Sequence, residues 1–271
     1  MKPKDLKISI YSVYTMEKVI RKVTEIGNGA HVFAPKEWLN EEIILTRIPK
    51  KSPKEEILKV ISPYMEKVTA VFLFGSYARN EADNDSDMDF FVISDEKFSI
   101  KEKNMEIIVI PEDKIETAKK LNPVLFYSML QEAKPIINSS YLKKLKEERV
   151  NFSYFKDFLK DTENSIISNK KIIDMDIKLK QNNASESVIY SLILRLRGIF
   201  IVNMILNKKL YSKKMFRDWI VKNSQVDYEK VYNIYQAVRN DKKPFESVQL
   251  NQAESLLGLL IREIENLKKK W

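Results

Sequence analysis

Hydrophobic residues follow two different periods along this chain of 271 residues. Up to about residue 140, short apolar runs bounded by turn-forming residues alternate with amphipathic stretches. Beyond Tyr141, apolar residues recur at every third or fourth position, and the segment holds one proline and two glycines. Alternation is typical of strands and the longer period is typical of helices. The sequence therefore predicts an α+β protein that ends in an antiparallel helical bundle.

The first fifty residues predict a small β module. Residues 6–14 alternate loosely, and Gly27-Asn28-Gly29 forms a tight turn between extended segments at 19–26 and 30–33. Such a turn joins two antiparallel strands, so we expect a β-hairpin. Pro35 then opens a short helical piece, and a further strand is expected at 43–48.

The middle of the chain alternates predicted helices and strands. Pro53 lies in the first turn of a helix. The other expected elements are strands at 68–74, 88–94, 105–110 and 135–138, and helices at 112–121 and 123–132. Five bundle helices are expected at about 141–149, 151–182, 185–207, 212–239 with a break near Asn223, and 247–270. Three domains follow from this order, namely a β module at 1–50, an α/β domain with a mixed sheet at 54–140 and the bundle at 141–271.

Composition excludes several classes of site. With 44% hydrophobic and 31% charged residues, the chain is long enough for real hydrophobic cores. It has no cysteine and one histidine, which excludes disulfides, thiolate sites and zinc sites built from several imidazoles. Any metal must be held by oxygen ligands. The sequence shows neither a secretory signal nor eighteen uninterrupted apolar residues, so we expect a cytoplasmic protein that does not contact a membrane.

The net charge of +9 is unevenly distributed. Residues 1–54 carry 11 basic and 6 acidic side chains, residues 55–150 carry 14 and 18, and residues 151–271 carry 22 and 14. A divalent-cation site would collect acids in the middle of a basic protein, although solvated surface acids give the same count. The spacing of the acidic residues has to distinguish a divalent-cation site from solvated surface acids.

The acids in question follow a glycine at the end of an apolar strand. Gly75 lets the backbone approach a ligand closely, and Ser76 adds a hydroxyl and an amide where a helix is expected to begin. Eleven residues later, Asp87 and Asp89 are expected on one face of an extended segment. Two carboxylates so placed repel each other unless a cation lies between them, and oxygen ligands of this kind suit Mg²⁺ together with substrate phosphates.

A third acid interrupts the next apolar strand. Glu106 stands among isoleucines and valines in the predicted strand 105–110. Burying a carboxylate there is unfavourable unless a metal or partner compensates, so Glu106 would complete a metal triad and accept a proton from an attacking hydroxyl. The alternatives are an ordinary acid on an edge strand for Glu106 and plain surface acids for Asp87 and Asp89.

The segment GSYARNEADNDSDMDFFV resembles the minimal nucleotidyltransferases of the DNA polymerase beta superfamily. Their pattern is Gly-Ser, a ten-residue spacer, Asp-x-Asp and a third carboxylate on a later strand, and the resemblance covers residues 55–140. It implies two Mg²⁺ ions, ATP as the donor substrate, and a third carboxylate that acts as base. That position is usually Asp in the family, and here it is Glu106.

The resemblance also assigns the predicted site residues. By this assignment Gly75 and Ser76 hold the triphosphate, and Ser86 completes the nucleotide-binding set. Arg79 would either contact phosphate or pair with Glu81 or Asp83. The metal ligands, which are also the predicted catalytic residues, are Asp87, Asp89 and Glu106.

The N-terminal stretch VTEIGNGAHVFAPKEWLNEEI resembles AbrB-like swapped-hairpin modules. Across that family such modules dimerise and many bind DNA, which implies a homodimer and DNA contacts through residues 1–50. Basic side chains available for phosphate contacts are Lys18, Arg21, Lys22 and Lys36. A module that only dimerises or docks is the alternative.

The C-terminal bundle is similar to helical domains of the HEPN and kanamycin nucleotidyltransferase types. HEPN ribonucleases carry an arginine followed by a histidine, but no histidine follows Arg239, so a ribonuclease is not expected. These resemblances imply a Mg²⁺-dependent transferase that moves AMP from ATP onto a hydroxyl. Resemblance to antitoxin-type nucleotidyltransferases implies a protein acceptor, and resemblance of the helical domain to aminoglycoside-modifying enzymes implies a small molecule. The alternative is a DNA-binding regulator that uses this fold to sense nucleotides.

Overall fold

The computed structural model describes residues 19–46 except Lys22, residues 52–82 and residues 86–269. The chain falls into two compact units, Met1–Lys50 and Lys51–Trp271. A mixed four-stranded sheet, its covering helices and a helical C-terminal region confirm the predicted α+β class. The finer division of the second unit into an α/β domain and a bundle stays a prediction.

A β-hairpin is the regular element of the first unit. Strands β1 (Thr24–Ile26) and β2 (Gly29–His31) pair antiparallel, as predicted. Gly27 has a φ of 54°, a conformation that glycine adopts without steric penalty, which explains this residue in the turn. A 3-10 turn at Lys36–Trp38 follows Pro35.

One predicted strand of this unit is wrong over its described part. Residues 43–46 are not in a strand, because no described residue of the unit pairs with their backbone groups, and an unpaired extended segment lacks the ladder that defines a strand. Residues 47 and 48, and the predicted strand at 6–14, lie outside the described residues. The AbrB-like identity, the homodimer and the DNA contacts stay predictions.

The second unit is built on a mixed sheet with the strand order β5-β4-β3-β6. Its strands are β3 (Val68–Phe74), β4 (Met88–Ser94), β5 (Met105–Pro111) and β6 (Lys134–Ile137). Strand β4 runs antiparallel to β3 and parallel to β5, and β6 runs antiparallel to β3. All four strands were predicted to within a residue or two.

Different helices cover the two faces of the sheet. Helix α1 (Pro53–Ile61) packs Ile57 and Ile61 against one face. The other face carries Phe91, which meets Phe126 of helix α4 (Pro123–Glu132) with ring centroids 5.8 Å apart. That face continues into the core of the C-terminal helices, so the sheet and the bundle share one hydrophobic core.

The remaining helices follow the predicted order. They are α2 (Gly75–Arg79), α3 (Ile115–Leu121), α5 (Ser139–Glu147), α6 (Lys156–Lys178), α7 (Glu186–Leu206), α8 (Lys213–Ser224), α9 (Tyr228–Arg239) and α10 (Leu250–Lys268). The predicted break near Asn223 lies at Gln225, whose φ of 54° separates α8 from α9. Helix α7 is apolar and long enough to cross a membrane by length and composition alone, but it packs against α6, α9 and α10 in the core.

Candidate functional site

Strand pairing brings the predicted carboxylates to one end of the sheet. Asp89 lies opposite Phe74, the last residue of β3, and beside Glu106 in the parallel register of β4 and β5. Paired residues project to the same face of a sheet, so Glu106 shares a face with Asp89, and Asp87 directly precedes β4. The site therefore lies at the carboxyl end of β3 and the amino ends of β4 and β5.

The site face is the one that α4 and the bundle cover. Asp89 lies on the same face of β4 as Phe91 and Ile93, which are buried in the larger core. Asp89 itself is half-buried, whereas Asp87 and Glu106 are exposed. The carboxylates thus form the solvent-facing continuation of an apolar face, where a ligand would be open to water on one side and to the bundle on the other.

Gly75 lies directly against the carboxylate of Asp89. It is buried, with a φ of 70°, and a Cβ built on it would stand 1.8 Å from Oδ2 of Asp89. No other residue type fits, because a side chain would clash with this carboxylate and the backbone conformation disfavours it. The sequence predicts that Gly75 makes room for a ligand. In the structure, the space beside Gly75 is filled by the Asp89 carboxylate.

Glu132, which is not among the predicted site residues, contacts the same glycine. The Gly75 N–H donates to Oε1 of Glu132 over 2.8 Å, and Nη1 of Arg79 donates to Oε2 over 2.5 Å. One signal in the sequence was available. Glu132 ends the otherwise uncharged helix α4, where a negative charge is unfavourable next to the helix dipole unless a cation compensates it.

Arg79 forms ion pairs with two carboxylates. Besides Glu132, it contacts Glu81, whose Oε2 accepts from Nε over 2.8 Å. Burial lowers the pKa of Arg79, but the pairs with Glu81 and Glu132 outweigh it and raise the pKa. Of the predicted alternatives, the structure thus has the ion pair with Glu81; Asp83 lies outside the described residues.

Asp89 has the most strongly perturbed carboxyl group of the site. Burial raises its pKa to about 6, and the charges of Glu106 and Glu132 act in the same direction. Arg79 opposes them, and Asp87 adds a smaller increase. Mutual repulsion among carboxylates that meet at one place is the condition that a bound cation relieves.

The donor set fits Mg²⁺ bound together with a substrate. In the ranges 19–46, 52–82 and 86–269, no three acidic or histidine side chains stand at the separations of a complete metal cage. Mg²⁺ does not need one, because it keeps several waters and binds through one or two carboxylates plus substrate phosphates. Asp87 and Asp89 would provide those two carboxylates, and Glu106 lies beside Asp89.

The two predicted serines flank this centre. Ser76 is the second residue of α2 and is half-buried, and its carbonyl accepts the N–H of Glu81 over 2.9 Å. Ser86, also half-buried, directly precedes Asp87. Ser76 therefore follows Gly75 directly in the chain, as Ser86 directly precedes Asp87.

The bundle contacts the site through Tyr211. The guanidinium groups of Arg79 and Arg197 each lie 5.4 Å from the centroid of its ring. The backbone N–H of Lys213 donates to Oε1 of Glu81 over 3.1 Å. The first residue of α8 is thereby bonded to the loop that follows α2.

Known proteins resemble the part of the chain that holds this site. Residues 55–147 match the family of polymerase beta nucleotidyltransferases. A comparison with curated proteins gave no match. The match is confined to residues 55–147, and the AbrB-like and HEPN resemblances stay predictions.

Two solved structures align with most of the chain. The crystal structure of spectinomycin adenyltransferase AAD(9) from Enterococcus faecialis with ATP and spectinomycin is 14% identical, with a TM-score of 0.43, over 79% of this chain and 98% of that one. A nucleotidyltransferase-like protein from Exiguobacterium sibiricum is 10% identical, with a TM-score of 0.38, over 79% and 75%.

Proposed function

We propose that the protein is a Mg²⁺-dependent nucleotidyltransferase that moves a nucleoside monophosphate onto a hydroxyl group. The observation that carries this proposal is the position of Asp89, in register with Glu106 and packed against Gly75 at one end of the sheet. The match of residues 55–147 to the polymerase beta nucleotidyltransferase family supports the same reaction class.

The proposed reaction is an in-line displacement at the α-phosphorus. The acceptor oxygen forms a bond to the α-phosphorus, the bond from that phosphorus to the bridging oxygen breaks, and pyrophosphate leaves. Glu106 takes the proton of the acceptor hydroxyl, a role that suits an exposed carboxylate beside the centre. Bound Mg²⁺ would neutralise the triphosphate charge, with Asp87 and Asp89 as its ligands.

The triphosphate would be held where β3 meets α2. Ser76 offers a hydroxyl and an amide at the start of this helix, close to Asp89. Positioning and charge stabilisation supply most of the rate in phosphoryl and nucleotidyl transfer, so a rigid arrangement of these groups is what the reaction requires.

We also propose AMP from ATP as the transferred group, and a hydroxyl of a protein or a small molecule as the acceptor. Resemblance of residues 55–140 to antitoxin-type nucleotidyltransferases supports a protein acceptor, with the chain acting as an antitoxin. A small-molecule acceptor is the other member of this proposal, and the same assay separates the two.

The test uses ATP labelled at the α-phosphate, together with Mg²⁺ and lysate from a cell that carries the gene. Wild type should transfer label to a protein band or to a low-molecular-weight fraction, and EDTA should prevent the transfer. Parallel reactions with labelled GTP, CTP and UTP report the base specificity. Label that is released only as free AMP would indicate hydrolysis instead of transfer.

Matched variants test the site itself. Asp87→Asn and Asp89→Asn should abolish transfer, because each removes a carboxylate from the proposed Mg²⁺ ligands. Asp95→Asn, at the other end of β4, serves as the control and should retain activity. Transfer by Asp89→Asn at the wild-type rate would refute the proposed centre.

A further inference from the structure

Helix α2 is held at both ends by one carboxylate. Oε1 of Glu132 accepts the N–H of Gly75, the first residue of the helix, and Oε2 accepts from the guanidinium of Arg79, the last. Both side chains are largely buried, with 10% of Glu132 and 13% of Arg79 exposed. Glu132 therefore acts as a clamp across α2.

A clamp matters here because α2 is too short to be stable by itself. It has five residues, and helices of that length do not persist in water without tertiary contacts. A left-handed residue follows it at once, since Asn80 has a φ of 60°. The position of Ser76 and of the Gly75 backbone thus depends on what holds the two ends of this turn.

Glu132 is itself rigidly placed. It is the last residue of α4, and two residues later the chain enters β6, where Lys134 lies opposite Leu73 of β3. Through its two oxygens, Glu132 thereby bonds α2, where the proposed triphosphate site begins, to the end of α4 and the edge of the sheet.

We infer that Glu132 is a positioning residue for nucleotide binding, which fixes α2 so that Ser76 and Asp89 face the triphosphate in one geometry. This inference rests on the proposed function and adds a residue to it. It also changes the assignment of Gly75. Because its amide donates to Glu132, the glycine contributes space for Asp89 and leaves phosphate contacts to Ser76.

The opposite role for Glu132 would be that of an anion that occupies the phosphate position and must leave before the nucleotide binds. The two roles predict opposite effects of the same substitution. Glu132→Gln keeps an oxygen for the Gly75 amide and removes the charge that holds Arg79. If Glu132 is a positioning residue, this substitution should weaken nucleotide binding. If Glu132 is a competing anion, the same substitution should strengthen it.

The experiment measures binding of ATP with Mg²⁺ by calorimetry and transfer kinetics for wild type and Glu132→Gln. We expect the dissociation constant of ATP to rise at least fivefold, the KM for ATP to rise with it, and kcat to fall less than KM rises. Glu132→Ala, which removes both contacts, should be more severe than Glu132→Gln. Tighter ATP binding by Glu132→Gln would overturn the inference.

Asp176→Asn is the matched control. Asp176 is a buried carboxylate that accepts a backbone N–H from Ser185 in the bundle, so it resembles Glu132 in burial and bonding but is not part of the proposed site. We expect Asp176→Asn to lower the melting temperature and to leave the dissociation constant of ATP within twofold of wild type. Equal weakening of ATP binding by both variants would reduce Glu132 to a general structural role.

Hydrogen exchange separates failure of this inference from failure of the proposed function. In the nucleotide-free protein, amides of residues 75–80 should exchange at least tenfold faster in Glu132→Gln than in wild type, and should not change in Asp176→Asn. If this difference in exchange is seen but wild type binds no nucleotide, Glu132 does hold α2 in place and the proposed function is wrong. Unchanged exchange in Glu132→Gln would refute the clamp whatever the activity.

Discussion

The carboxylate of Asp89 occupies the space where a side chain at position 75 would be, 1.8 Å from the Cβ that any residue other than glycine would carry. This contact joins the end of β3 to the start of β4. It ties the proposed metal ligand to the turn that precedes α2, so a change on either side displaces the other.

Gly75→Ala should therefore destabilise the protein and remove its activity. The clash with Asp89 and the φ of 70° together should lower the free energy of unfolding by about 2 to 4 kcal/mol. Chemical denaturation gives this value, and the transfer assay should show no turnover.

Gly258→Ala provides the matched control for that substitution. No heavy atom lies within 4 Å of a Cβ at this exposed position of α10, and alanine favours helix over glycine by about 1 kcal/mol. We expect equal or slightly higher stability and unchanged activity. A similar loss in both variants would show that the Asp89 contact is not the cause.

Asp89→Asn should stabilise the metal-free protein while it removes activity. Burial raises the pKa of Asp89 to about 6 from 3.8, so the folded state binds a proton more tightly than the unfolded state. The contribution of the protonated Asp89 carboxyl to the free energy of unfolding is fully present below pH 4. It is lost as the pH rises through 6. Asparagine does not ionise, so the variant should gain about 1 to 2 kcal/mol over wild type at pH 7.5.

Melting temperatures in EDTA at pH 4 and pH 7.5 check this expectation. The difference between Asp89→Asn and wild type should be small at the lower pH and large at the higher one. Mg²⁺ with ATP should then stabilise wild type and leave the variant unchanged, because a ligand stabilises only the protein that binds it. A difference that is the same at both pH values would contradict the pKa assignment.

Glu106→Gln should separate catalysis from binding. If the carboxylate takes the proton of the acceptor hydroxyl, its loss should lower kcat by about 10² to 10⁴-fold with little change in the KM for ATP. Glu102→Gln, an exposed acid just before β5, is the control. A rise in KM with kcat unchanged would instead assign Glu106 to binding.

Tyr211→Leu should loosen the contact between the bundle and the site. The ring of Tyr211 makes cation–π contacts with Arg79 and Arg197, and loss of both should lower the free energy of unfolding by about 1 to 2 kcal/mol. Tyr211→Phe keeps the ring and should lose less than half of that amount. Urea denaturation of both variants checks this, and equal losses would mean that the hydroxyl carries the interaction.

Local sequence signals predicted most of the elements of this protein. Strand β3 was expected from Val68 to Phe74 because seven residues of apolar and β-branched character end at a glycine. The hairpin around Gly27 was expected for the same kind of reason, since its turn needs a positive φ. The strand expected at 43–48 was wrong where it is described, because apolar character alone does not provide a pairing partner.

Much of the candidate site was also available from the sequence. A strand alternates its side chains whatever surrounds it, so the spacing of Asp87 and Asp89 predicts one shared face, and the structure begins β4 one residue after Asp87. Glu106 was predicted from a lone charge in an apolar run, and the structure places it beside Asp89. The expected burial was wrong, because Glu106 is exposed on the edge strand β5, and its role stays a prediction. The alternation of a strand is local geometry, whereas the exposure of an edge strand depends on which strands pair beside it.

Only the tertiary structure decided which groups close the site. Glu132 lies 57 residues after Gly75 in the chain, and their hydrogen bond exists because β6 pairs with β3 and carries the end of α4 to that edge. Tyr211 reaches Arg79 through packing of the bundle on the same face. The sequence by itself determined the strands, the glycine turn and the acids on one face, since these depend on neighbours within a few residues. Contacts between distant segments depend on how whole elements pack, which no local pattern records.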